Sequence, residues 1–178
     1  MKVIGICGSP RKGSNSAVVL DFIGKELTSL NHSFSVSYLA ESVVEYCCGC
    51  LSCEDEGNCP INDDAKSLLE LIKGCDAVVL STPAYFDSVP GKLKSLIDRM
   101  NLIVSALKSK KMIVTIVGQA DETSWNAVAE YLGVVAGITG IDLLGREFFH
   151  SRKSGDLILD DEKKSRLTAL SRRLIADS

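Results

Sequence analysis

Several things are scarce in this 178-residue chain, and each scarcity removes a class of function. No apolar run approaches the roughly 18 residues that a membrane helix needs. Charge of one sign is not in excess, since 20 basic side chains face 23 acidic ones for a net charge of −3. That balance argues against a nucleic-acid surface, which shows as a basic stripe or patch. The start, Met1-Lys2-Val3-Ile4-Gly5-Ile6, lacks the basic flank and long apolar stretch of a signal peptide, so a cytoplasmic protein is expected. There are only two histidines, His32 and His150, neither with a ligand partner nearby in sequence. No Ser-His-Asp or metal–water constellation is evident, which leaves no catalytic side chain to name. Internal repeats and low-complexity linkers are missing too, so residues 1–178 are expected to form one domain.

Cysteine is what the chain has in surplus. Five of its seven fall between positions 47 and 59. An odd count without an export signal points to metal binding or redox chemistry rather than a disulfide framework.

Apolar runs without alternation mark buried strands at Val3–Cys7, Ala77–Thr82 and Met112–Val117, and a strand is also expected near Ile141–Phe149. Ser33 to Leu39 alternates instead, with Phe34, Val36 and Tyr38 on one face. Helical spacing recurs in Val19, Phe22, Ile23, Leu27 and Leu30. It recurs again in Ala65, Leu68, Leu69 and Ile72, behind the N-cap Asp63 and ahead of Gly74. Pro90 suits the first turn of a helix burying Leu93, Leu96, Ile97 and Met100. Further helices are expected from about Thr123 to Ala136 and from Asp160 to about Arg173. Strand and helix thus alternate five times, the pattern of an α/β protein with a parallel sheet covered on both faces. Small loop-forming residues concentrate after strands one and three, which favours a flavodoxin-like doubly wound sheet of order 2-1-3-4-5 with its ligand at that switch point. The G-x-G-x-x-G of a dinucleotide-binding fold is absent after strand one.

The loop Gly8 to Ser16 carries three hydroxyls (Ser9, Ser14, Ser16), the amide of Asn15 and two cations (Arg11, Lys12), and it runs into a helix N-terminus. Such a loop suits a phosphate dianion. Gly8 and Gly13 have P-loop spacing, but Ser14 stands where the lysine belongs, which disfavours nucleotide hydrolysis. A plain turn with an N-cap is the alternative. After strand three, Pro83-Ala84-Tyr85-Phe86 offers backbone and two aromatics to a flat ring, and Gly118-Gln119 offers a third wall; a core role for Tyr85 and Phe86 is the lesser alternative.

These segments, together with Pro90-Gly91-Lys92-Leu93-Lys94 and Ile97-Asp98-Arg99, resemble the NADPH-dependent FMN reductase family over roughly residues 1 to 120. The resemblance implies FMN, with its phosphate on Ser9, Arg11, Ser14, Asn15 and Ser16 and its ring near Pro83, Ala84, Tyr85 and Phe86, with Gly118 as the third wall already described. It also implies a homodimer or homotetramer.

The segment Cys47 to Pro60, within a loop spanning 46–62, reads C-x2-C-x2-C-x5-C. Thiolates two residues apart fold around a compact cluster because the backbone between them turns tightly, and Gly49 and Gly57 ease that turn. Zinc also takes four thiolates but usually separates its pairs by a dozen or more residues; free or disulfide-linked thiols are the third reading. The motif is similar to that of iron–sulfur flavoproteins, a branch of the same family. This implies a [4Fe–4S] cluster on Cys47, Cys50, Cys53 and Cys59, with Cys48 a non-ligand, although a register that uses Cys48 stays open. The function implied is an electron-transfer oxidoreductase fed by a ferredoxin or by NAD(P)H and passing electrons to a small-molecule or protein acceptor. The alternatives are a cluster-free FMN or quinone reductase and a flavin redox sensor. Glu54, Asp55 and Glu56 read as a solvated loop tip or a docking point for a positively charged electron donor. Cys7 and Cys75 read as core; Trp125 packs in its helix or covers the flavin.

Overall fold

The computed structural model describes residues 1–119 and 121–176. Five strands, β1 (Lys2–Cys7), β2 (Ser33–Tyr38), β3 (Ala77–Thr82), β4 (Lys111–Gly118) and β5 (Asp142–His150), form one sheet. Its order is β2-β1-β3-β4-β5 and every pairing is parallel. The helices are α1 (Asn15–Ser29), α2 (Ser52–Asp55), α3 (Asp64–Lys73), α4 (Gly91–Asp98), α5 (Val104–Leu107), α6 (Glu122–Thr139) and α7 (Asp161–Ile175). No helix among the described residues is long and apolar enough to cross a membrane.

Burial on both faces explains the unbroken apolar runs. Every residue of β3 is buried, and only the two ends of β4 are partly exposed. Leu20, Ile23 and Leu27 of α1 and Leu167, Leu170 and Leu174 of α7 cover one face with Val3, Val79 and Ile113. Leu68, Leu69, Leu93, Leu96, Val128 and Leu132 cover the other with Ile4, Leu80 and Ile116. At about 25 cal/mol per Å² of apolar surface, these two layers supply most of the drive to fold. Cys7 and Cys75 lie within them, buried as expected, and burial raises both thiols above their ordinary pKa.

The helix bounds differ in two places for local reasons. Arg99 caps α4 after Asp98, so Met100 starts a separate 3-10 turn, Met100–Ile103, instead of extending the helix. α6 runs on to Thr139 because Gly140, at φ 73°, is the first residue to adopt the left-handed stop. The short helices α2 and α5 have four residues each, too few to leave a periodic signal.

Candidate functional site

A cavity of about 260 Å³ lies beyond the carboxyl ends of β1, β3 and β4. Its first wall is the loop after β1. Gly8 donates its N–H to Ser81 O at 2.8 Å, drawing that loop against β3. A Cβ at Gly8 would sit 2.8 Å from the end of the Leu93 side chain and 3.1 Å from Thr82, so a larger residue would have to displace both. Gly13 turns the chain at φ 61°, and Ser14 then caps α1 by accepting from the Ala17 N–H. Ser9, Ser14 and Ser16 are buried polar residues facing a helix N-terminus, a donor-rich environment for an anion. Arg11 adds a positive charge at the rim.

Of the ten residues expected around the flavin, Ser9, Arg11, Ser14, Asn15, Ser16, Pro83, Ala84, Tyr85 and Gly118 all line this one cavity. Phe86 does not. It is 105% exposed, because Phe86 and Asp87 form the tip of a tight hairpin in which Tyr85 and Ser88 exchange both backbone hydrogen bonds. Both tip residues have positive φ, 48° and 56°, as such a turn demands, and this swings the Phe86 ring away from the cavity. Asp87 accepts a hydrogen bond from the Ser124 hydroxyl, tying the hairpin to the first turn of α6.

A further wall escaped the sequence reading. Ser151, Arg152, Lys153 and Ser154, after β5, close the cavity beside the loop after β1. Asn15 holds them there: its Nδ2 donates to Ser151 Oγ and Lys153 O, each at 2.7 Å, and its Oδ1 accepts from the Leu157 N–H at 3.1 Å. The amide is therefore committed to this loop rather than free for a ligand. The only clue in the sequence was the polar run Ser151 to Asp156, which is ordinary for any loop. Trp125 stacks on Phe148, ring centroids 5.6 Å apart, and packs edge-on to His150, while His32 contacts the N-terminal amine at 3.2 Å.

The cysteine loop is pinned at its neck. Asp64 accepts from the Val43 N–H at 2.7 Å and returns its own N–H to Val43 O. Asp63 caps α3 through Ala65, accepts from the Glu45 N–H at 2.8 Å, and pairs with Arg99 at 2.5 Å. Both side chains of that pair are almost wholly buried, at 2% and 1% exposure. Burial pushes the Asp63 carboxyl upward, but the Arg99 hydrogen bond, the Glu45 N–H and the guanidinium charge outweigh it and hold the group below its ordinary value. The guanidinium also donates to Cys59 Sγ at 3.5 Å, and Asn101 donates to Cys53 Sγ at 3.5 Å.

Inside the neck the four-cysteine site is not assembled. Among the described residues no three His, Cys, Asp or Glu side chains stand together as a ligating group. Cys53 and Cys59 are half-buried, whereas Cys47, Cys48 and Cys50 are exposed on a segment without regular structure. Cysteine sulfur is a weak hydrogen-bonding group, so hydrogen bonds between the side chains do not gather them. Two hydrogen bonds from Ser52, from its hydroxyl and its backbone, lower the Cys50 thiol from its ordinary value. The donor chemistry nonetheless fits a thiolate centre: four sulfurs within 13 positions, two already receiving N–H donors.

A sheet in this order, with a polar cavity at the β1/β3 switch point, defines a flavodoxin-like α/β protein. A flavodoxin from Bacillus cereus superposes with a TM-score of 0.67 at 13% identity, covering 100% of this chain and 99% of that one. An NADH:FMN oxidoreductase in its apo form superposes at 0.77 and 17% identity, covering 99% and 90%. The family described as NADPH-dependent FMN reductase matches residues 1–152, and the chain belongs to that family. An iron–sulfur flavoprotein of Archaeoglobus fulgidus is 38% identical over 100 residues, 56% of this chain and 46% of that protein. The chain spans about half the length of curated relatives that it matches.

Proposed function

We propose that the chain is an iron–sulfur flavoprotein in which FMN occupies the cavity and a [4Fe–4S] cluster is held by Cys47, Cys50, Cys53 and Cys59. The observation that carries this is the convergence of three buried serine hydroxyls, Arg11 and the α1 N-terminus on one cavity beside Pro83, Ala84 and Tyr85. When bound, FMN supplies one- and two-electron chemistry and the cluster single-electron exchange.

The residues of the chain do the rest. Ser9, Ser14 and Ser16 replace water around a phosphate, and Arg11 balances its charge. Asn15 does not touch the phosphate in this reading; it fixes the 151–157 loop so that the cavity keeps its shape. Pro83, Ala84, Tyr85 and Gly118 exclude water from one side of a flat ring. Cys47 and Cys50 must move in from solvent to join Cys53 and Cys59, while the neck at Asp63, Asp64 and Arg99 stays fixed. Electrons enter from a ferredoxin or NAD(P)H and leave to a small-molecule or protein acceptor, and the working unit is a homodimer or homotetramer. A second reading, a cluster-free FMN or quinone reductase, is favoured by one observation: the thiols of Cys47, Cys48 and Cys50 are exposed and ungathered.

The test is flavin, iron, acid-labile sulfide and zinc content of protein purified without oxygen. About one FMN with four irons and four sulfides per chain is the expected result. FMN without iron or sulfide, after anaerobic reconstitution, selects the cluster-free reading. An Arg11→Ala variant should lose FMN affinity by about tenfold and leave riboflavin affinity unchanged, because only FMN presents a phosphate.

A further inference from the structure

The two half-buried cysteines are approached from a single turn. Arg99, 3% exposed, ends α4, and Asn101 lies two residues further on in the turn Met100–Ile103. The Nη2 of Arg99 donates to Cys59 Sγ at 3.5 Å and to Ile61 O at 3.3 Å, while Nη1 donates to Asp63. The remaining Nε–H is buried and has no hydrogen-bond partner among the described residues. Asn101 Nδ2 donates to Cys53 Sγ at 3.5 Å and to Glu54 Oε1 at 2.8 Å. The exposed thiols Cys47 and Cys50 receive no side chain from this turn.

Asp63 already balances the charge of Arg99, so the guanidinium brings the sulfurs directed N–H groups more than net charge. N–H donors aimed at sulfur orient a ligand and stabilise the more negative, reduced form of the centre it holds.

We propose that Arg99 and Asn101 are positioning residues of the four-cysteine centre, fixing the sulfurs of Cys59 and Cys53 from one turn and raising the reduction potential of the centre they hold. The inference rests on the cluster reading above. Lysine at position 99 keeps the positive charge but loses the planar fork that reaches Asp63, Cys59 and Ile61 together, so charge alone does not replace it.

The test compares wild type, Arg99→Lys and Asn101→Ala, all purified anaerobically, with FMN content as the check on folding. Asn101 is exposed, so its variant keeps the question open to an answer if Arg99→Lys does not fold. Two readouts are used: titration of the metal-free protein with cobalt(II) alone, followed by thiolate-to-metal absorption, and the midpoint potential of the reconstituted cluster by spectroscopic redox titration. The expected results are cobalt binding weakened by about 10- to 100-fold and a lower potential in both variants. Wild-type cobalt affinity together with an unshifted potential in Asn101→Ala and in any folded Arg99→Lys overturns the inference while leaving the cluster reading standing. Failure of wild type to take up iron and sulfide overturns the cluster reading instead. Cobalt affinity then decides the positioning role by itself: weaker binding in the variants supports it, and equal binding overturns it.

Discussion

The two ends of α4 lead to opposite kinds of place. Before it, the loop after β3 lines a cavity whose shape is already complete, with serine hydroxyls buried and a helix end aimed inward. After it, Arg99 and Asn101 reach a loop that is anchored at its neck and open at its tip. The cavity is a by-product of topology, since a doubly wound sheet must leave a crevice where its strand order reverses. The cysteine loop owes nothing to topology. It is held by side chains, chiefly Asp63, Asp64 and Arg99, and its remaining geometry is left to the ligands themselves.

The sharpest way to break this contrast is Asp63→Ala. It leaves the Arg99 charge buried without its partner and removes the cap of α3, so unfolding stability should fall by about 3–5 kcal/mol in denaturant titration. The same pair predicts acid sensitivity. Asp63 is depressed in the folded state, so its contribution is fully present above the unfolded value of about 3.9 and is lost as pH falls through the lower folded value. A stability curve against pH should therefore be steeper on the acid side in wild type than in Asp63→Asn, and parallel curves would remove the pair from this account.

On the cavity side, Asn15→Ala should cost roughly 1–3 kcal/mol, because Leu157 N–H and its neighbours lose a buried partner. Flavin titration of that variant should show weaker FMN and weaker riboflavin binding together, unlike Arg11→Ala. Equal loss of FMN alone in both would mean that Asn15 contacts phosphate after all. The smallest effect is expected at the hairpin. Phe86→Asn places a residue tolerant of left-handed backbone at φ 48° and should raise stability by about 1 kcal/mol, read as a shift in thermal midpoint.

Much of the fold was legible because β1, β3 and β4 are covered on both faces, which writes them as unbroken apolar runs. The conformation of the loop after β1 was legible for a local reason, since Gly8, Gly13 and Ser14 each answer a backbone requirement close in sequence. The outward position of Phe86 was not legible because the direction of a hairpin tip depends on φ, and the side chain carries no sign of it. Arg99 was visible only as part of a family pattern. Its partners lie 36 to 40 positions away, and nothing in Ile97-Asp98-Arg99 announces that the guanidinium turns inward. The wall at Ser151 to Ser154 was hidden for the same reason, being joined to Asn15 across some 136 residues.

That last link also bears on when the protein becomes able to hold a ligand. Chains are made from the N-terminus, and contacts distant in sequence form late. Asn15 is synthesised early but waits for Ser151, Lys153 and Leu157 before its amide is satisfied. A ribosome-bound chain that stops short of Leu157 therefore carries the phosphate loop and the β3 loop without the wall that encloses them. In the reading proposed above, FMN binding then waits for the synthesis of a loop that contributes no strand to the sheet.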